Sequence, residues 1–176
     1  MSDFTNEPIE IEMLPKFQEV RLNTPDPRFF RVIVINILIL LIFSAIGLSL
    51  LLFFNVHVRP YGLYVIGGLM LLFLLIFLLY KASFKKRGYA LREKDIIYKS
   101  GIIAETTTIV PLNRIQHVAL DEGLFSRIYK LATLQIYTAG GSSGHMHIAG
   151  IPLEQARAIK EALLKKLDLL ENPIHE

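Results

Sequence analysis

Two long stretches of the chain show no alternation of polar and apolar positions. VIVINILILLIFSAIGLSLLLFF, from Val32 to Phe54, and YGLYVIGGLMLLFLLIFLLY, from Tyr61 to Tyr80, contain no charged residue. At about 1.5 Å per helical residue, each can cross a hydrocarbon core of roughly 30 Å. Leu, Ile, Val and Phe fill 18 of the 23 positions in the first and 13 of the 20 in the second. At roughly −0.3 to −0.6 kcal/mol apiece near a helix centre, they outweigh one asparagine and a few small residues. A core helix of a soluble protein this long would carry a polar face, so the pattern predicts two membrane spans.

Beyond the spans the period shortens. GYALR, DIIYKSG, IIAETTTIVP, RIQHVALDEG, LATLQIYTAGG and GHMHIAG are short segments rich in Ile, Val, Thr and Tyr, cut by glycine and proline. Such runs predict an antiparallel sandwich or small barrel of six or seven strands. The period then lengthens in PLEQARAIKEALLKKLDLL, where Ala156, Ile159, Leu163, Leu167 and Leu170 recur every three or four residues. That spacing predicts an amphipathic helix closing one end of the sheet, with Pro152 suited to its first turn. Ahead of the spans, IEIEM (Ile9 to Met13) alternates with period two and can add a strand to a free sheet edge.

Charge sets the expected topology. Only NVHVRP separates the spans, so they run antiparallel. Lys16, Arg21, Arg28 and Arg31 precede the first span, Lys81, Lys85, Lys86, Arg87, Arg92, Lys94 and Lys99 follow the second, and the loop holds Arg59 alone. The positive-inside rule places both termini in the cytoplasm. The length of the first apolar run and the 31 residues before it argue against a cleaved signal peptide. Absence of cysteine fits a reducing compartment. The expected division is a flexible cytoplasmic tail at 1–31, a transmembrane hairpin at 32–80, a basic juxtamembrane linker at 81–87, a cytoplasmic domain at 88–170 and a tail at 171–176.

Small residues lie at matching depth in the two spans. Gly47 is near the outer end of the first, with Ala45 and Ser49 beside it, and Gly67 and Gly68 are near the outer start of the second. They permit close backbone approach within the hairpin, which is the preferred reading, or between copies of the chain. Arg28, Arg31, Lys81, Lys85, Lys86 and Arg87 are the candidate membrane-surface contacts. A cation just inside the bilayer is worth about 1 kcal/mol against an anionic leaflet. Orientation and membrane contact account for much of the net charge of +3, so nucleic acid is not an expected partner.

The run VPLNRIQHVALDEGLFSRIYKLATLQIYTAGG resembles the core signature of a bacterial PH-like domain family of YdbS/YdbT-like membrane proteins. Pro111, Arg114, Ile115, Gln116, Arg127, Leu131, Ala132, Thr138, Ala139 and Gly140 match its ordered pattern, and the preceding hydrophobic hairpin is similar too. Lys130 departs from it, standing where the family often has glycine. The resemblance implies a small α+β domain of about seven antiparallel strands capped by a C-terminal helix, carried on an inner-membrane anchor. It implies architecture more than activity.

Candidate chemistry changes this picture little. TAGGSSGHMHIAG (Thr138 to Gly150) has the glycines and serines of a phosphate loop but lacks the Gly-Lys-Ser/Thr ending. It reads as a turn between strands, with Gly140, Gly141 and Gly144 supplying positive φ. His145 and His147 face one side of a strand and offer two metal ligands, the third having to come from His117, Glu105 or Asp121. No thiol or HExxH pair is present, and Ser142 and Ser143 lie in a Gly-Ser loop for which no orienting acid is indicated. Arg92-Glu93-Lys94-Asp95 is too short and too mixed in sign for a phosphoinositide clamp. Arg114, Gln116 and Arg127 remain as interaction or structural candidates, with the arginines expected to satisfy carboxylates or loop carbonyls. The reading is a non-catalytic module without cofactor or small-molecule substrate, whose partners are generic anionic lipid and a second copy or another membrane protein. The alternatives are a metal-dependent enzyme at His145 and His147, or an oligomeric pore.

Overall fold

Asp26 and Pro27 start the first helix. The Asp26 carboxylate accepts the Arg28 backbone N–H at 2.8 Å, capping the helix where proline's missing donor costs nothing. The computed structural model describes residues 19–102, 104–139 and 145–171, the side chains of 168–171 excepted. Helix α1 covers Pro27–Phe54 and α2 covers Gly62–Lys86, joined by a short 3-10 turn at Arg59–Tyr61. Both outrun the apolar blocks at their inner ends. In place of a separate linker at 81–87, α2 continues to Lys86, because KASFKK holds no helix breaker until Arg87 turns extended before Gly88.

The hairpin is not the core of a soluble fold. Its apolar side chains face outward along both helices, Phe43 at 69% exposure and Leu63 at 80%. The helices meet at their inner ends through large rings, Phe30 lying 6.0 Å from Phe77 and 5.6 Å from Phe84. At the outer end Gly62 rests on Leu52. The preferred reading of the other glycines is corrected here: a Cβ added at Gly47, Gly67 or Gly68 would meet nothing within 4 Å. Contacts through Phe30, Phe77, Phe84 and Leu52 rotate those glycines away from the partner helix.

Strands β1 (Gly88–Leu91), β2 (Asp95–Ser100) and β3 (Thr106–Pro111) form one antiparallel sheet in that order. A 3-10 turn, Leu112–Arg114, leads into the second sheet, of β4 (Ile115–Asp121), β5 (Leu131–Thr138) and β6 (Met146–Pro152). Between β4 and β5 lies a short helix, α3 (Leu124–Ile128), and after β6 comes α4 (Leu153–Glu171). Six strands, not seven, are present among the described residues, and the sheets do not close into a barrel. Pro111 has no N–H to extend the first ladder, and the chain leaves it there through the 3-10 turn.

The core lies between the sheets and α4. Ile96, Leu134, Ile136, Ile148, Ile151 and Leu163 are at most 1% exposed and join Tyr89, Val110, Val118 and Ala156 in one cluster. The period-two strands and the helical stripe both point into it; Leu170 lies outside the described side chains. The Arg92–Asp95 turn is tight, as its composition predicts: the Arg92 N–H donates to the Asp95 carbonyl at 2.8 Å, and the side chains pair at 2.6 and 2.5 Å. Lys166 of α4 donates to the Glu93 carbonyl in the same turn at 3.0 Å.

The approach to α1 is part of this lobe rather than a flexible tail. Asn23 exchanges both backbone hydrogen bonds with Tyr89 of β1, at 2.7 and 2.9 Å, and the Asp26 N–H donates to the Gly150 carbonyl of β6 at 2.8 Å. One strap therefore joins the β1 edge of the first sheet to the β6 edge of the second. The proposed strand at Ile9 to Met13 lies outside the described residues.

Two backbone positions make direct predictions. Gly150 has φ +82°, and a Cβ there would stand 2.6 Å from the Phe29 ring. Gly150→Ala should lower stability by about 1–2 kcal/mol from left-handed strain alone, and more through displacement of Phe29, read as a fall in melting temperature in detergent. Lys130, where the resemblance favours glycine, has φ +53°. Lys130→Gly should be neutral or stabilising by up to about 1 kcal/mol, since relief of that strain is partly offset by a freer unfolded chain.

Candidate membrane-facing site

The chain's charged and uncommitted groups gather where the hairpin meets the lobe. The inner end of α1 lies beside β6 and α3, and the inner end of α2 lies beside β2. Ala90 and Ile97, on the face of the first sheet opposite the core cluster, are also buried. The hairpin thus stands on both sheets.

The six candidate surface cations divide into two groups. Arg28 forks onto Asp26, with Nε to Oδ1 at 2.9 Å and Nη2 to Oδ2 at 2.8 Å. Lys86 pairs with Glu105 at 3.1 Å and donates to the Ile102 carbonyl at 3.2 Å. Arg87 donates to the Ser83 hydroxyl at 3.4 Å. Arg31, Lys81 and Lys85 are exposed and make no side-chain bond among the described residues. Of the first three only Lys86 reaches the lobe, Arg28 and Arg87 bonding within the start of α1 and the end of α2, and the second three stay uncommitted.

Two carboxylates are tuned by this arrangement. The Arg28 guanidinium bonded to Asp26 holds that carboxyl below its ordinary value, against a smaller opposing effect of burial. Lys99, at 2.7 Å, and then Lys86 do the same for Glu105. Both carboxylates therefore stay charged at neutral pH and act as fasteners rather than proton donors.

Arg114 and Arg127 do not play the structural part expected of them. Both are exposed, and neither guanidinium finds a carboxylate or carbonyl among the described residues. Their main chains are what the fold uses. The Arg114 carbonyl accepts from Ala139 at 3.2 Å, and the Arg127 carbonyl accepts from Lys130 at 3.0 Å. Gln116 is exposed next to a bulge in β4.

The histidines lie on the outer face of the second sheet. His145 precedes β6 and sets its ring 4.8 Å from Tyr137, which lies 5.6 Å from His117. His147 is opposite Gln135, and Gln135 bonds both Asp121 and the Tyr137 hydroxyl. This is a ladder of rings and amides on an exposed sheet face. Among the described residues, no three His, Asp or Glu groups converge as a metal would require. Thr138 and Met146 end and begin antiparallel neighbours, so the glycine-rich stretch connects a hairpin; Gly140, Gly141 and Gly144 lie outside the described residues.

The sequence pattern does not single out Asn23 and Asp26, nor the exposed Leu124 and Ile128 of α3; it reads RFFR (Arg28 to Arg31) as an interfacial anchor with rings at headgroup level, whereas the Phe29 ring packs against Gly150. Asp-Pro at 26–27 is a helix-start signal that could have moved the boundary outward. A five-residue helix is too short to show periodicity.

A family model described as a bacterial PH domain matches residues 28–167. The chain is 30% identical over 113 residues to the transmembrane protein YdbT of Bacillus subtilis, covering 64% of this chain and 22% of the relative. It is 33% identical over 88 residues to the transmembrane protein YdbS of the same organism, covering 50% of this chain and 54% of the relative. The chain thus spans about half of one relative and about a fifth of the other. No solved structure matches it at a significant level.

Asp26 gives the pH prediction. A carboxylate whose pKa is depressed on folding adds stability that is complete above its ordinary value of 3.8 and lost as pH falls through the lower folded value. Asp26→Ala should cost about 1 kcal/mol of capping energy at neutral pH. The deficit should shrink below pH 3.8, as measured by melting of both proteins across an acid series.

Proposed function

The chain belongs to the bacterial PH domain family, and from that premise we propose that it is a two-span inner-membrane protein displaying its PH-like domain in the cytoplasm as a non-catalytic interaction module. The observation that carries this reading is the way the lobe is held. Asn23, Asp26 and Phe29 before the first span, and Lys86 after the second, fasten the lobe to both helix ends. The domain is therefore displayed at a fixed height and orientation under the bilayer. Cation asymmetry supports the cytoplasmic side, since the loop at 55–61 holds Arg59 alone.

In this reading the partners are anionic lipid, met through Arg31, Lys81 and Lys85, and a second copy or another membrane protein, met through an outward face of the lobe. The Arg92–Asp95 pair in the short first turn supports generic attraction rather than headgroup selection, because its one guanidinium is already satisfied. Anchoring confines the domain to a thin layer, where weak contacts reach useful occupancy through effective concentration.

The absence of cysteine makes topology directly measurable. A membrane-impermeant maleimide on intact cells should label His57→Cys in the connecting loop and leave Lys165→Cys in the lobe unlabelled until the membrane is opened; the reverse pattern places the lobe outside. Crosslinking in membranes should trap a discrete assembly that disappears when the lobe is removed. Monomers alone, with no retained protein or lipid, would refute the module.

A further inference from the structure

We propose that α3 is a membrane-inserting wedge whose Leu124 and Ile128 dip into the interfacial layer beside the first span. The proposal rests on the reading of α1 and α2 as membrane spans and adds a site to it.

Leu124 is 74% exposed and Ile128 69%, the two most exposed large apolar side chains of the lobe among the described residues; the next, Leu164, is at 46%. At i and i+4 they share one face of α3. The helix is placed where such a face would meet lipid. It contacts α1, as does β6, whose Gly150 is pressed against Phe29, and the apolar span begins at Val32, three residues further on. Arg127 and Lys130, both exposed, lie beside the apolar pair, against one uncommitted acid, Glu122; Asp121 is bonded by Gln135. Apolar side chains flanked by cations suit the boundary between headgroups and acyl chains.

Lipid is favoured over protein as the occupant. Two side chains fall far short of the roughly 800 Å² per partner that a standard interface buries, whereas interfacial insertion needs no such area. The depth of α3 is also fixed, because the Lys130 carbonyl accepts from Leu153 at the start of α4 at 3.0 Å and the strap holds β6 to α1. The wedge is thus continuous with the spans and would lock the tilt of the lobe against the membrane.

The chain has no tryptophan, so single-tryptophan variants of the full chain report without background. Leu124→Trp and Ile128→Trp would be reconstituted into vesicles of phosphatidylcholine and phosphatidylglycerol carrying bromine high on the acyl chains. Leu72→Trp, in the second span, is the reference for membrane depth. Lys165→Trp is the reference for the distal end, next to Lys166, which bonds the turn at the far end of β1. The expected result is blue-shifted emission at 124 and 128, with quenching several-fold above that at 165. Quenching equal to that at 165 overturns the wedge. So does a blue shift without lipid quenching, which would mean that a second copy covers α3. If the Leu72→Trp variant is also unquenched, the spanning hairpin itself is refuted, and the two failures are thereby told apart. Two insertion positions, each checked by circular dichroism, keep the test decisive if one variant misfolds.

Discussion

The hydrogen bonds from Asn23 and Asp26 to the two sheets hold this architecture together. Each sheet has only three strands, and each would otherwise end in an open edge, β1 in one and β6 in the other. The strap satisfies part of both edges with the backbone that immediately precedes α1. Leu22 lies against Gly88 and Phe29 against Gly150, so close that a Cβ at either glycine would collide. Backbone pairing and side-chain packing thus converge on the few residues where the chain enters its first span. Movement of that span relative to the lobe would break both at once.

This constraint changes the meaning of the juxtamembrane charges. As a sequence, Arg28, Arg31, Lys81, Lys85, Lys86 and Arg87 form one basic belt. In the structure, Arg28, Lys86 and Arg87 are directed inward to Asp26, Glu105 with the Ile102 carbonyl, and Ser83. Of these, the Lys86 contacts tie the end of α2 to the connection between β2 and β3. Exposed ion pairs contribute little stability singly. Their value here is geometric, since they bind helix ends whose positions the strap has already limited.

What the sequence made legible follows from which patterns are local. Apolarity over 20 residues decides insertion, so the spans at 32–54 and 61–80 could be read, whereas helix ends depend on caps and on Arg87 turning extended, and α1 and α2 run further. The depth of Gly47, Gly67 and Gly68 was readable but their azimuth was not, because the faces that meet are chosen by Phe30, Phe77 and Phe84. The stripe of α4 predicted Ala156 and Leu163 on the packed face, and both lie in the cluster that Ile96, Leu134 and Ile148 fill from the sheets. Closure into seven strands did not follow, since pairing partners are tertiary. The bridge at Asn23 is one residue wide and leaves no period to detect. At Lys130 the family likeness was informative: the position that favours glycine is the one non-glycine with positive φ among the described residues.

Rigid mounting bears on how such a domain can act. A domain on a flexible linker samples many orientations, and each partner contact must then restrict that freedom at an entropic cost. Here the strap and helix ends have already restricted it during folding. The first sheet has its second face partly covered at Ala90 and Ile97 by the base of α2, while Ile109 on the same face stays exposed. The outer face of the second sheet, with His117, Gln135, Tyr137 and His147, and the exposed Arg114 and Gln116 have no such cover among the described residues. A partner carried in the same membrane would meet these surfaces at a constant height. A contact too weak to hold two freely diffusing proteins could therefore suffice, because both position and orientation are set before the encounter.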